Sequence, residues 1–250
     1  MSGLVKVPVY RALYLDSVLK EGNGITFYRD NLFRAVVRGM KSVEDSDYVV
    51  PASLQQVLRG YQKTGYRWLK TLDVNGFGGI LADDMGLGKT IQIIALLQAE
   101  AEEHPESQSL IVCPASLVYN WENELNRFAP GLTVQTVTGT APEREEILKI
   151  AAQLGTEHLE TAASETTVQA DAQESAEAIC HPQILITSYD LLKRDIACYE
   201  PLKFRFQVID EAQYIKNPLT QSAKSVKLIK AQTRYALTGT PIENRLSELW

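Results

Sequence analysis

The stretch Gly79-Ile-Leu-Ala-Asp-Asp-Met-Gly-Leu-Gly-Lys-Thr90 constrains this chain more than any other. Gly79 to Ala82 reads as a short buried strand, and Asp83 to Gly88 as a tight glycine-rich turn. Lys89 and Thr90 open a helix that is apolar nearly all round (Ile91, Ile93, Ile94, Leu96, Leu97), as a helix between a sheet and a second layer must be. Strand, glycine loop and helix carrying Gly-Lys-Thr is the layout of a phosphate-binding loop. Asp84, Met85, Gly86, Leu87, Gly88, Lys89 and Thr90 form its nucleotide-binding segment. Gly86 and Gly88 let backbone N–H groups approach phosphate oxygens, because no Cβ intervenes. The helix N-terminus adds partial positive charge, Lys89 reaches the outer phosphates, and the Thr90 hydroxyl is a ligand for Mg²⁺. The strict G-x-x-x-x-G-K-[ST] pattern has glycine where Asp83 stands, so the loop needs support from the rest of the chain.

The rest supplies it as alternating strands and helices. Ser109–Cys113 is a continuous apolar strand of the kind buried in parallel sheets, broken by Pro114. Ser116 is expected to cap a helix with Leu117, Trp121, Leu125 and Phe128 on one side. Strands are also expected at 133–137, 183–187, 206–211 and 234–238, with helices from Glu143 to Leu154, from Ser188, and from Asn217-Pro218 (Leu219, Ala223, Val226 and Ile229 aligned). The fold class is therefore α/β, a P-loop nucleotide-binding lobe with a mostly parallel sheet and helices on both faces, binding ligand at the strands' C-terminal ends. The polar residues gather at those ends. Asp210 is placed to hold Mg²⁺ and Glu211 to orient and deprotonate an attacking water. Thr238-Gly-Thr240 follows the last strand. Upstream, Leu58 to Leu69 is helical, with Leu58, Tyr61, Trp68, Leu69 and Leu72 as its buried face. The Gln62 amide offers a donor and an acceptor suited to an adenine edge.

In combination these residues resemble the first motor lobe of SWI/SNF-type ATPases of the helicase-like superfamily two. Asp83 to Thr90 is similar to that family's motif I, Asp210-Glu-Ala-Gln213 to motif II, and Leu237-Thr-Gly-Thr-Pro-Ile-Glu-Asn-Arg245 to motif III. Leu58-Arg-Gly-Tyr-Gln62 resembles the adenine-reading element. Cys113-Pro-Ala-Ser-Leu117 and Ile186-Thr-Ser-Tyr189 resemble the segments that touch the tracking DNA strand. The resemblance implies ATP hydrolysis with Mg²⁺, with Lys89, Asp210 and Glu211 as catalytic residues and Thr90 and Asp210 at the metal. It implies coupling through Gln213, Thr238, Gly239 and Thr240, and DNA contacts at Pro114, Ser116, Thr187 and Ser188. It further implies double-stranded DNA as partner and a second lobe, carrying an arginine finger, that residues 1–250 do not include. The rival reading is a nucleotide-gated binding module without turnover.

Residues 54–250 carry the likeness, and residues 1–53 form an accessory preamble. There Gly24–Tyr28 is expected as a strand and Asn31 as the cap of a helix with Phe33, Val36, Val37 and Met40 on one face. Thr156 to Ala178 holds six acidic residues and no Lys or Arg, which reads as a flexible solvated insertion. The apolar pattern at Leu246, Leu249 and Trp250 reads as a helix that is cut rather than finished. A net charge of −6 makes any DNA surface local rather than global. Three separated cysteines fit neither a disulfide framework nor a metal site. With no apolar run near ~20 residues, a cytoplasmic protein with no membrane partner is expected.

Overall fold

The computed structural model describes residues 11–20, 28, 30–41, 47–84, 86–161 and 181–239. Two helices lead, α1 (Ala12–Lys20) and α2 (Asn31–Lys41), followed by α3 (Gly60–Val74). Strands and helices then alternate: β1 (Gly79–Leu81), α4 (Lys89–Glu103), β2 (Ser109–Cys113), α5 (Val118–Phe128), β3 (Val134–Thr136), α6 (Ala141–Thr161), β4 (Ile184–Ser188), α7 (Tyr189–Arg194), β5 (Phe204–Ile209), α8 (Gln221–Leu228) and β6 (Ala231–Leu237). The six strands form one sheet in the order β1-β6-β5-β2-β4-β3, and every pairing is parallel.

β2 and β4 are buried along their whole length, and their side chains divide between two cores by the two-residue period of a strand. Ile111, Cys113, Ile184 and Ile186 enter one core with Leu69 and Leu72 of α3, Ile93 and Leu97 of α4, and Trp121 and Leu125 of α5. Leu110, Val112 and Leu185 enter the other with Leu148 of α6, Leu192 of α7 and Val226 of α8. This explains why β2 reads as an unbroken apolar run: both faces of the sheet are covered. Val36 and Val37 of α2 pack with Ala12 of α1 in a third, small cluster. Phe77 is partly buried against this cluster and against the first core, and so joins the preamble to the sheet.

Several local expectations change. α2 is capped by Asp30, whose Oδ1 accepts from Phe33 N–H at 2.7 Å, because Asn31 is already the first helical residue. Ser116 caps nothing: it sits in a 3-10 turn (Ala115–Leu117), and Leu117 takes the cap position of α5. Asn217-Pro218 is a turn, with Leu219 N–H donating to Asn217 Oδ1 at 3.0 Å. The following helix starts after Thr220, whose hydroxyl accepts from Ala223 N–H, and Leu219 is exposed. Ser188 does cap α7, accepting from Leu191 N–H at 3.3 Å. Tyr61 is exposed rather than buried, and Tyr66 takes its place in the core. α6 runs to Thr161, six residues into the acidic insertion, and residues 162–180 lie outside the described residues. The same holds for Gly24–Phe27 of the expected first strand, for the side chain of Met40 and for the terminal pattern at Leu246–Trp250.

Cys113 is wholly buried, and burial first, then the charge of Asp210, pushes its thiol up to about 12. The thiolate is the reactive form, so Cys113 is expected to stay unmodified by iodoacetamide at pH 8 in the folded protein. Peptide mass mapping of native and unfolded samples checks this.

Candidate nucleotide site

Three neighbouring strands, β1, β6 and β5, end at the same edge of the sheet. After β1 comes the glycine loop. Gly86 and Gly88 have φ of +85° and +74°, which side chains with a Cβ adopt at a cost. A Cβ on Gly88 would lie 2.4 Å from Gln62 Nε2, so a larger residue here would also displace the Gln62 amide from the loop. Lys89 turns back over the loop and donates to the carbonyls of Asp83 at 2.7 Å and Asp84 at 3.1 Å. Its ammonium therefore already sits where two loop carbonyls converge. Asp83 is used structurally, its Oδ2 accepting from Gln92 Nε2 at 3.3 Å. Thr90 is partly exposed in the first turn of α4, and Met85 lies outside the described residues.

Gln62 is buried and reaches this loop. Its Nε2 donates to the Leu87 carbonyl at 3.1 Å and its Oε1 accepts from Arg59 N–H at 2.9 Å. The Tyr61 hydroxyl donates to the same carbonyl at 3.0 Å, which explains its exposure: the ring spans from α3 to the loop. Both amide functions of Gln62 are thus engaged with protein groups.

After β5 the chain turns sharply. Asp210 N–H donates to the Val112 carbonyl, continuing the sheet by one bond. Glu211 then adopts φ 50°, the one positive φ at a residue other than glycine among the described residues. Burial raises the Asp210 carboxyl above its usual range. Hydrogen bonds from Trp121 and from Glu211 N–H oppose this, the Glu211 charge adds to it, and the Lys89 ammonium works against it. The loop lysine and this carboxylate therefore act on each other across the strand ends. Glu211 Oε2 accepts from Gln213 Nε2 at 2.6 Å, and Gln213 Oε1 accepts from the Thr238 hydroxyl at 3.0 Å. A continuous polar relay thus links the end of β5 to the end of β6. Gly239 follows Thr238 directly, and Thr240 lies outside the described residues.

The expected DNA-contact residues separate. Ser116 is exposed and Pro114 buried at the start of the same turn. Thr187 and Ser188 are buried; the Thr187 hydroxyl faces the Val137 carbonyl and the Ser188 hydroxyl is spent as a cap. Three side chains beside Asp210 escape the sequence reading. Trp121 Nε1 donates to Asp210 Oδ2 at 2.8 Å, and the Tyr189 hydroxyl donates to the Asp210 carbonyl at 2.6 Å. Glu124, one turn beyond Trp121 on α5, has a carboxyl raised by burial and then by the Asp210 charge. The three-residue spacing of Trp121 and Glu124 is the signal that groups them on one helix face.

The donor set fits a metal–nucleotide complex. Among the described residues no group of three or more His, Cys, Asp or Glu side chains can hold a metal by itself. Mg²⁺ commonly takes one or two carboxylates, waters and substrate phosphates rather than a protein cage. A positive-φ glycine loop whose lysine acts on the part-buried Asp210 carboxylate matches that requirement.

Residues 61–250 match the family model described as SNF2-related domain. The chain is 38% identical over 226 residues to a Mycoplasma pneumoniae protein named "Uncharacterized ATP-dependent helicase", covering 88% of this chain and 19% of that protein. It is 37% identical over 207 residues to the chromatin-remodeling ATPase INO80 of Sclerotinia sclerotiorum, covering 82% and 11%. Among solved structures it is similar to the Sulfolobus solfataricus SWI2/SNF2 ATPase core in complex with double-stranded DNA. That likeness has a TM-score of 0.60 and 36% identity over 82% of this chain and 36% of that one. The chain therefore spans a fifth or less of these two curated relatives.

Proposed function

The chain belongs to the SNF2-related family, and from that membership we propose that residues 54–250 are the ATP-binding lobe of a motor that hydrolyses ATP while tracking double-stranded DNA. The observation that carries this reading is the convergence of the Lys89 loop, Asp210-Glu211 and Thr238 on adjoining strand ends, with the relay Glu211–Gln213–Thr238 joining two of them. Proteins similar to this chain are ATP-dependent helicases and ATPases by name, and one is solved with duplex DNA.

The loop amides from Gly86 to Lys89 cradle the phosphates, and Lys89 exchanges its bonds to Asp83 and Asp84 for the outer phosphate oxygens. Thr90 and Asp210 would hold Mg²⁺, which would neutralise charge on the phosphates. Glu211 accepts the proton of the attacking water. Gln62 either releases Leu87 to meet the base or supports the loop from below while nucleotide is bound. Gln213, Thr238, Gly239 and Thr240 couple hydrolysis to movement. Pro114, Ser116, Thr187 and Ser188 mark the DNA side, with Ser116 the one side chain of the four that is exposed. Catalysis is completed by a second lobe facing this one. No helix among the described residues is long and apolar enough to cross a membrane. The reading puts the motor on DNA in the cytoplasm.

Lys89→Ala removes the loop's cation. Hydrogen bonds to charged groups contribute roughly 1.5–3 kcal/mol, so ATP affinity is expected to fall about tenfold or more. Calorimetric titration of the 250-residue chain with ATP checks it, and unchanged affinity removes the loop from the site. The function itself is tested by phosphate release from the protein carrying both lobes, with and without duplex DNA. Stimulation by DNA is expected. ATP binding with no release under either condition would leave a nucleotide-gated clamp.

A further inference from the structure

We propose that Trp121 is a positioning residue for Asp210, its indole N–H fixing the carboxylate in the orientation that receives Mg²⁺. The proposal rests on the reading of Asp210 as the metal carboxylate.

The two oxygens of Asp210 are each held by one donor. Oδ1 accepts from Glu211 N–H at 2.9 Å, a bond set by the chain's own turn, and Oδ2 accepts from Trp121 Nε1 at 2.8 Å. The second bond comes from a residue 89 positions away in sequence, on a helix with its own anchoring. Val118, Trp121 and Leu125 of α5 are all buried in the first core, so the indole cannot swing away without disturbing that packing. Each carboxylate oxygen keeps a second lone pair, and with both oxygens pinned these lone pairs have fixed directions. Mg²⁺ tolerates little departure from octahedral geometry. Partners that orient a ligating carboxylate commonly change metal affinity by roughly 10–100-fold.

The residue type supports the assignment. An indole has one donor and no acceptor, so Trp121 can serve an acceptor and nothing else. Phenylalanine would fill much of the same core volume without needing a partner. The backbone of Asp210 is held in parallel: the Tyr189 hydroxyl donates to its carbonyl at 2.6 Å. Tyr189 opens α7 directly after Ser188, and α5 directly follows the turn that carries Ser116. The helices that follow the two expected DNA-contact turns therefore both grip the same residue, one at its side chain and one at its backbone.

The experiment is calorimetric ATP binding by the 250-residue chain, with Mg²⁺ and with EDTA, for wild type, Trp121→Phe and Asp210→Asn. Mg²⁺ is expected to strengthen ATP binding by wild type. Trp121→Phe is expected to lose about tenfold of that gain while its affinity in EDTA stays within about twofold of wild type, and Asp210→Asn is expected to abolish the gain. If Asp210→Asn abolishes the gain and Trp121→Phe keeps it, the metal reading stands and the proposal is overturned. Equal weakening of Trp121→Phe with and without Mg²⁺ also overturns it, since that is what lost packing does. If Asp210→Asn keeps the gain, the metal reading fails and takes the proposal with it. Should Trp121→Phe not fold, the wild-type protein answers through its indole ¹⁵N–¹H resonances, assigned with Trp68→Phe and Trp250→Phe. The Trp121 signal is expected to shift when Mg²⁺ is added to the ATP-bound chain, and a signal that does not move overturns the proposal.

Discussion

Glu211→Gln is expected to cut ATP turnover by about 10²–10⁴-fold, the usual contribution of a general base, while ATP affinity stays within about twofold. The substitution is chosen because the backbone does not feel it. Glu211 sits at φ 50°, where any residue with a Cβ carries strain, and glutamine bears the same strain as glutamate. The neighbouring hydrogen bond is also kept. Gln213 Nε2 donates to Glu211 Oε2 at 2.6 Å, and an amide oxygen at position 211 still accepts it. What disappears is the ability to take a proton. If Glu211 served only to anchor Gln213, and through it Thr238, the variant would turn over normally. Steady-state phosphate release from the two-lobed protein with duplex DNA, beside a calorimetric ATP titration, separates the two roles. Wild-type turnover by Glu211→Gln would remove Glu211 as the base.

The strands were legible because a parallel sheet covered on both faces demands unbroken apolar runs, and β2 lies at Ser109–Cys113, the limits its side chains mark. The loop was legible because few conformations other than the one seen at Gly86 and Gly88 need glycine twice in three residues. Helix starts were harder. Ser116, Asn31 and Asn217 all have capping side chains, but a cap works only where the chain enters at the right angle. Here a 3-10 turn, a preceding Asp30 and a later Thr220 decide the entry. Tyr61 was misplaced because an aromatic on an amphipathic helix looks like core, whereas its hydroxyl bridges to Leu87. The contacts of Trp121 and Tyr189 with Asp210 had no local signature, since each joins elements far apart in sequence.

Arg205 is a residue that only the fold explains, and replacing it is expected to cost several kcal/mol of stability, roughly the 3–5 kcal/mol of a broken buried pair. It lies on β5, its side chain 21% exposed, between two carboxylates that are almost wholly buried. Its Nη1 and Nη2 donate to both oxygens of Asp73 at 2.8 and 2.5 Å, and its Nε donates to Glu100 Oε1 at 2.9 Å. The Thr233 hydroxyl adds a bond to Asp73 at 2.9 Å, while Glu100 Oε2 has no hydrogen-bond partner among the described residues. One guanidinium thus compensates two acids contributed by α3 and α4, and links both helices to the sheet. Arg205→Met keeps the apolar stem and strands both carboxylates. Removing one partner of a buried pair costs about 3–5 kcal/mol, and ~2–4 °C of Tm per kcal/mol in a domain of this size gives a fall of roughly 6–20 °C. Adding Asp73→Asn and Glu100→Gln to Arg205→Met should recover most of that loss, because neutral amides carry no stranded charge. Thermal unfolding followed by circular dichroism measures it, and a small loss, or one that Asp73→Asn and Glu100→Gln do not recover, would show that Arg205 acts as surface packing and not as the counter-charge of the two helices.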